Sequence, residues 1–154
     1  RAMLYHKKME PSAINRRARY DYDILEEYEA GIALTGHEVK SVKAGRMTLA
    51  GAFAVIRDNE AWLLNAAIAP YQTANAPKEY DAGRSRKLLL RASEIKELIG
   101  KTSAQGLTIV PLKVYNKRGR IKILLGLARH RKKTDKREVI KKRESDREMR
   151  RVVK

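Results

Sequence analysis

Asn15-Arg-Arg-Ala-Arg-Tyr20 gathers a carboxamide, three guanidinium groups and a phenol within six residues. Guanidinium forks pair with phosphates, and an aromatic ring stacks on an unpaired base at about 1–3 kcal/mol. A second dense run starts at Arg129 and continues through Arg131, Lys132, Lys133, Lys136, Arg137, Lys141, Lys142 and Arg143. Both runs suit a polyanion. Other chemistry is poorly represented. His6, His37 and His130 are scattered without metal-ligand spacing, and there is no cysteine for a disulfide or a thiolate site. No glycine-rich phosphate loop and no nucleophile elbow occur. Glu26, Glu27 and Glu29 could build a magnesium-dependent nuclease, but a polar strand edge is the simpler account of them. The expectation is a binding protein without catalytic residues, metal or cofactor.

The charge balance points the same way. The 154 residues carry 35 Lys+Arg against 18 Asp+Glu, a formal charge of +17. Residues 1–19 hold six basic and one acidic residue, and residues 129–154 hold 13 basic and five acidic. The ends therefore carry net charges of +5 and +8, and residues 20–128 only +4. A lone charged run is usually a solvated face. Two of them flanking one small domain favour a shared polyanion, with nucleic acid first and an anionic membrane surface second. No apolar run approaches the roughly 18 residues of a membrane span. The N-terminus has no apolar stretch of secretory type, and a reducing cytosol is allowed.

Tyr28, Ala30, Ile32 and Leu34 alternate with period two, which predicts a strand. Tyr20 and Tyr22 extend it backwards, with Glu26-Glu27 marking a bend or bulge. Thr35-Gly-His-Glu38 has the form of a capping box and predicts a helix over Thr35–Ala44, stopped by Gly45. Ala52–Arg57 and Ala61–Asn65 flank Asp58-Asn59-Glu60 as a hairpin. Pro70–Gly83 reads as a loop and Lys87–Arg91 as a strand. Ser93 is placed to cap a helix carrying Ile95, Leu98 and Ile99, with Gly100 as its stop. Leu107–Tyr115 leads into a four-residue turn, Asn116–Gly119. The return strand lines up Ile121, Ile123, Leu125 and Leu127 and turns Arg120 and Lys122 outward. Pro111 requires an edge or a bulge. The fold expected is mainly β with short helices, a small antiparallel barrel of the oligonucleotide-binding type.

From Thr134 onward there is no Gly or Pro, and Glu138–Lys142 and Asp146–Arg150 are favourable i,i+4 pairs. The apolar residues are too sparse to anchor a helix on the domain. The tail is expected to be coil when free and helical inside an RNA channel. Residues 1–13 then form a basic extension, 14–128 the barrel and 129–154 the tail. Among the tyrosines Tyr20 is the one placed for stacking, because it follows the arginines, whereas the others suit core packing.

Asn15-Arg-Arg-Ala-Arg-Tyr20-Asp-Tyr22, Tyr28-Glu29-Ala-Gly31, Gly36-His-Glu-Val-Lys-Ser41, Arg86-Lys-Leu-Leu-Leu90, Gly106-Leu-Thr-Ile-Val-Pro-Leu112, Ala128-Arg129 and Asp135-Lys-Arg137 form an ordered set. In that order and spacing the chain resembles the small protein B family, the SsrA-binding proteins, over about residues 14–154. The resemblance implies a bacterial, cytoplasmic partner of transfer-messenger RNA. Such a protein binds the tRNA-like domain and is delivered with elongation factor Tu and GTP to stalled ribosomes, acting as a monomer in the complex. It implies RNA contacts at Glu29, Leu89 and Lys122, an N-terminal signature at Asn15, Arg16, Arg19 and Tyr20 that runs into the first strand and is assigned to the same tRNA-like RNA, and a contribution from Lys40. It also implies a decoding-centre motif at Asp135, Lys136 and Arg137, followed by a tail in the empty mRNA channel. Lys122 can pair with a phosphate, and Glu29 can accept hydrogen bonds from bases or riboses. Leu89 suits base contact or the core equally. The pattern departs from the family at His130-Arg131-Lys132, Thr134 and Ser145. The alternative expectation is a generic ribosome-associated barrel.

Overall fold

The structure, a computed structural model, describes residues 11–72, 74 and 78–152, and of positions 133–136, 138, 139 and 150–152 the backbone only. In chain order the elements are strand β1 (Pro11–Ile14), a helical turn α1 (Ala18–Asp21), β2 (Tyr22–Ile32), helix α2 (Gly36–Lys43), β3 (Met47–Thr48), β4 (Phe53–Arg57), β5 (Glu60–Leu64), β6 (Ala67–Ile68), β7 (Arg86–Leu89), helix α3 (Ala92–Gln105), β8 (Thr108–Lys117), β9 (Arg120–His130) and helix α4 (Lys133–Val152). Six strands run β8-β4-β5-β7-β2-β9, and β9 pairs back onto β8 to close the ring. Every pairing is antiparallel. β1 adds to β8, so among the described residues the sheet already includes Pro11.

The inner face of the ring is the core. β9 contributes Ile121, Ile123, Leu125 and Leu127, all buried, as their alternation predicts. β2 contributes Tyr28, Ala30 and Ile32. Leu98 of α3 and Val42 of α2 are fully buried in the same cluster. Two bulges make this packing possible. The β8–β9 register slips between Pro111 and Lys113, so Ile109 and Val114, an odd number of residues apart, both face inward. The β2–β9 register slips between Ile24 and Glu26. Tyr22 and Ile24 therefore face outward, onto a small second cluster of Ala18, Val110, Leu112 and Ala128, while Tyr28 faces inward. Pro111 is thus accommodated by a bulge, in a strand flanked on both sides.

Local chemistry explains most boundaries. α2 opens with the reciprocal capping box: Thr35 Oγ1 accepts from the Glu38 amide at 3.2 Å, and Glu38 Oε1 accepts from the Thr35 amide at 3.0 Å. Asp58 and Asn59 both have positive φ and close the β4–β5 hairpin as a two-residue turn of the mirror-image type.

Three expectations are corrected. Tyr20 lies in α1 rather than at the head of β2. Ser93 and Gly100 sit inside α3, which runs on to a left-handed Gly106. A mid-helix glycine costs only about 1 kcal/mol. Against that, buried Leu98 anchors this segment, Thr102 Oγ1 donates back to the Leu98 carbonyl at 2.7 Å, and Lys101 pairs with Glu97 at 2.8 Å. The β8–β9 turn is Arg118-Gly119 alone, because Asn116 and Lys117 stay paired with Ile121 and Arg120. The tail forms helix α4 and, among the described residues, touches the body near α1. Its composition favours helix even without a packed face. The Glu138–Lys142 and Asp146–Arg150 pairs, and the basic extension up to residue 10, lie outside the described residues.

Candidate nucleic-acid interface

Gly31 of β2 is the register partner of Leu89 on β7 and of Lys122 on β9. Residues directly opposite across a sheet share a face. Leu89, Gly31 and Lys122 therefore form one row on the outside of the barrel, and Glu29 lies two residues earlier on the same face of β2. A Cβ at position 31 would stand 3.2 Å from Leu89 Cβ and 3.3 Å from its Cδ1, so the glycine is what lets Leu89 lean across the strand. Leu89 is 53% exposed, which removes the core alternative for it. Together with Leu34, Val39 and Arg120, Leu89 and Lys122 line a shallow concavity of about 290 Å3.

The charges here are held in place. Glu29 accepts from the buried Tyr115 hydroxyl and from Lys117 Nζ at 3.2 and 3.3 Å. The Tyr115 hydrogen bond, and Lys117 after it, keep the Glu29 carboxyl below its usual range despite the opposing effect of burial. It is therefore an anion at neutral pH and still has lone pairs for a ribose hydroxyl or a base amine. Tyr115 is shifted the other way, its hydroxyl pushed well above the usual phenol range by burial and by Glu29. Lys122 has no ion-pair partner among the described residues. Lys40 is exposed on α2, one position from Val39 in the concavity wall. Lys117 is a contributor the residue types alone did not reveal. Only the tight turn at Arg118-Gly119 keeps it in the ladder and within reach of Glu29.

The N-terminal signature sits elsewhere. Asn15 is pinned by its backbone amide to the Leu112 carbonyl at 2.8 Å and by its side-chain nitrogen to the Pro111 carbonyl at 2.9 Å. Arg16 is exposed. Arg19 pairs with Glu27 at 2.9 Å on the surface, a contact worth about 0–1 kcal/mol and easily exchanged for a phosphate. The Arg17 guanidinium lies 5.2 Å from the centre of the Tyr20 ring, so that ring already has a cation against it.

This segment leads to the root of the tail, not to Lys122. His130 packs edge-on against Tyr22, with ring centres 5.1 Å apart. The Arg131 amide donates to the Asp21 carbonyl at 2.9 Å, and its Nε lies 3.0 Å from Asp23. Tyr22 and Gly31 stand at opposite ends of β2, about 30 Å apart along an extended strand. Arg129 and Lys132 are exposed at the tail's root, and Arg137, Lys141, Lys142 and Arg143 are exposed on α4. The side chains of Lys133, Asp135 and Lys136 lie outside the described residues. So Glu29, Leu89 and Lys122 come together as a group, while Asn15, Arg16 and Tyr20 join the tail's root instead.

Among the described residues no group of three or more His, Asp or Glu is placed to hold a metal ion, and no helix is long and apolar enough to cross a membrane.

Residues 12–154 match the family described as SmpB protein. An SsrA-binding protein from Acaryochloris marina is 54% identical over 140 residues, covering 91% of this chain and 91% of the relative. One from Thermosynechococcus vestitus is 51% identical over 140 residues, covering 91% and 92%. A solved chain described by the words "tmRNA-SmpB: a journey to the center of the bacterial ribosome" superposes with a TM-score of 0.65 and 48% identity, covering 86% of this chain and 94% of that one.

Proposed function

This chain belongs to the SmpB protein family, and on that premise we propose that it is an RNA-binding adaptor of trans-translation, one that binds the tRNA-like domain of transfer-messenger RNA and brings it to stalled ribosomes. The Glu29, Leu89 and Lys122 surface takes the tRNA-like domain. Lys122 meets a phosphate, Glu29 accepts from bases or riboses, and Leu89 gives an apolar contact. Lys40 and Arg120 add positive charge around them. The tail carries the second contact, with Asp135, Lys136 and Arg137 at the decoding centre and the rest of α4 along the empty mRNA channel. Delivery with elongation factor Tu and GTP, in the cytoplasm of a bacterium, completes the reading, which assigns the chain no catalytic step of its own.

The observation that carries this is the separation of the two surfaces. One rigid strand pair, β2–β9, has the Leu89–Gly31–Lys122 row near one end and the tail's root at the other. A protein built this way can hold one RNA while reaching into another.

The test is a binding titration of the tRNA-like domain at several salt concentrations. Binding is expected to weaken steeply with salt, and Lys122→Ala to lower the affinity and reduce the slope by roughly one phosphate's share. Replacing Asp135, Lys136 and Arg137 together by Ala is expected to leave that binding nearly intact and to abolish peptide tagging on stalled ribosomes. Normal tagging by the tail variant would refute the division of labour. Equal affinity for unrelated structured RNAs would favour a generic ribosome-associated barrel instead.

A further inference from the structure

Beside the tail's root, α1 and the segment 47–53 enclose a cleft of about 620 Å3. That volume falls within the range of small-molecule sites and accommodates a base with its ribose. Its lining is two-sided. Ile14, Val110, Phe53 and Tyr22 give it apolar and aromatic walls, while Arg16 and Arg17 stand at its rim. Ile14 is 50% exposed, an apolar side chain left uncovered where the barrel has no need of it. Asp21 is the sole acidic residue in the lining, and Arg17 lies 3.4 Å from its carboxylate. Arg16, by contrast, has no acidic partner among the described residues. Thr48 and Thr108 supply hydroxyls, and Asn15, whose side-chain nitrogen is committed to Pro111, retains an oxygen that can accept. The surroundings are basic, since Arg129 and Lys132 emerge at the same end.

Resting on the adaptor reading above, we propose that this cleft holds one unpaired RNA nucleotide, its base against Ile14 and the aromatic walls and its phosphate on Arg16. No lining residue is shared with the Lys122 concavity, so this is a separate contact from the one that holds the tRNA-like domain. The nucleotide can come from a single-stranded part of the delivered RNA or from ribosomal RNA, because the recognising chemistry is the same.

Isotope-labelled full-length protein is titrated with adenosine monophosphate and, separately, with inorganic phosphate at equal concentration. The nucleotide is expected to shift the amide resonances of Asn15, Thr48, Phe53 and Thr108, and phosphate is not. Equal shifts from both would reduce the cleft to an anion-attracting surface and overturn the proposal. A photo-crosslinking residue at Thr48 in complexes with transfer-messenger RNA and ribosomes is expected to label RNA, and the labelled strand identifies the source. Labelling of ribosomal protein alone overturns the proposal. Arg16→Glu is expected to cut the crosslink about tenfold, beyond any loss of affinity for the isolated tRNA-like domain titrated in parallel. An undiminished crosslink refutes the role of Arg16 and with it the proposed pose. Failure of the wild-type protein to bind the tRNA-like domain would overturn the adaptor reading itself, an outcome distinct from these.

Discussion

Glu38 and Arg86 are 1% and 0% exposed, an ion pair enclosed by the barrel, α2 and the loop that precedes β7. Four hydrogen bonds hold the guanidinium: Nε donates to Glu38 Oε2 at 2.9 Å, Nη1 to the carbonyls of Ala66 and Arg84 at 3.0 and 3.1 Å, and Nη2 to the Ala82 carbonyl at 2.9 Å, while Nη2 also lies 2.8 Å from Glu38 Oε2 as an ion pair. Arg84 also donates to the Glu38 carboxylate, as does the Thr35 amide. Removing the carboxylate in Glu38→Ala leaves a buried cation without its counter-charge, at a cost of about 3–5 kcal/mol, and forfeits the return bond of the capping box. For a domain whose whole stability is about 5–15 kcal/mol, roughly a third to a half is lost, a fall of about 10 °C or more in Tm. Urea and thermal unfolding at neutral pH measure it. The double variant Glu38→Leu with Arg86→Met removes both charges and is expected to be more stable than Glu38→Ala. A single-variant cost below about 1 kcal/mol, or a double variant no better than the single, would refute the account of Arg86 as a cation that needs its counter-charge. Burial raises the Glu38 pKa, but Arg84, the Thr35 amide and Arg86 together hold it below the ordinary range. Its contribution is therefore present above the unfolded carboxyl's pKa and is lost as pH falls through the lower folded value. Glu38→Gln should lack that share of the acid dependence.

Gly31→Val pushes a branched side chain into Leu89, and is expected to weaken binding of the tRNA-like domain several-fold at a cost of about 1–3 kcal/mol in stability. Unchanged affinity would show that the pose of Leu89 does not matter. Burial, with a hydrogen bond to Glu26, pushes the Tyr28 hydroxyl up to about 12, and burial also raises Tyr80 and Tyr115. A spectrophotometric titration should therefore show Tyr28, Tyr80 and Tyr115 ionising late in the folded protein and near 10 in urea. Because the folded state holds these protons more tightly, stability should fall as pH rises from about 10 to 12. Leu98→Ala, emptying the fully buried anchor of α3, should cost about 2–5 kcal/mol in urea unfolding.

Where bonding partners lie within a few residues of each other, the sequence located the elements, although both hairpin turns are tighter than it implied. The α2 capping box joins positions three apart, the β4–β5 turn needs two small polar residues that tolerate positive φ, and the Ile121–Leu127 alternation records one buried face. The charge at the two ends and the ordered motifs likewise pointed to RNA and to the family before any fold was known. Tertiary structure decided what depends on partners distant in the chain. Gly100 looks like a stop until Leu98 is seen locked in the core. Arg86 is only one member of a motif in the sequence, and its pairing with Glu38, 48 residues earlier, comes from the fold. The bulges near Leu25 and Leu112, whose places Glu26-Glu27 and Pro111 mark in the sequence, set which side chains face inward only through their register across the barrel. The two basic ends could be counted in the sequence. That Asn15–Tyr20 stands with the tail, while Glu29, Leu89 and Lys122 meet at the far end of β2, follows from strand register and ring closure, which no local pattern encodes.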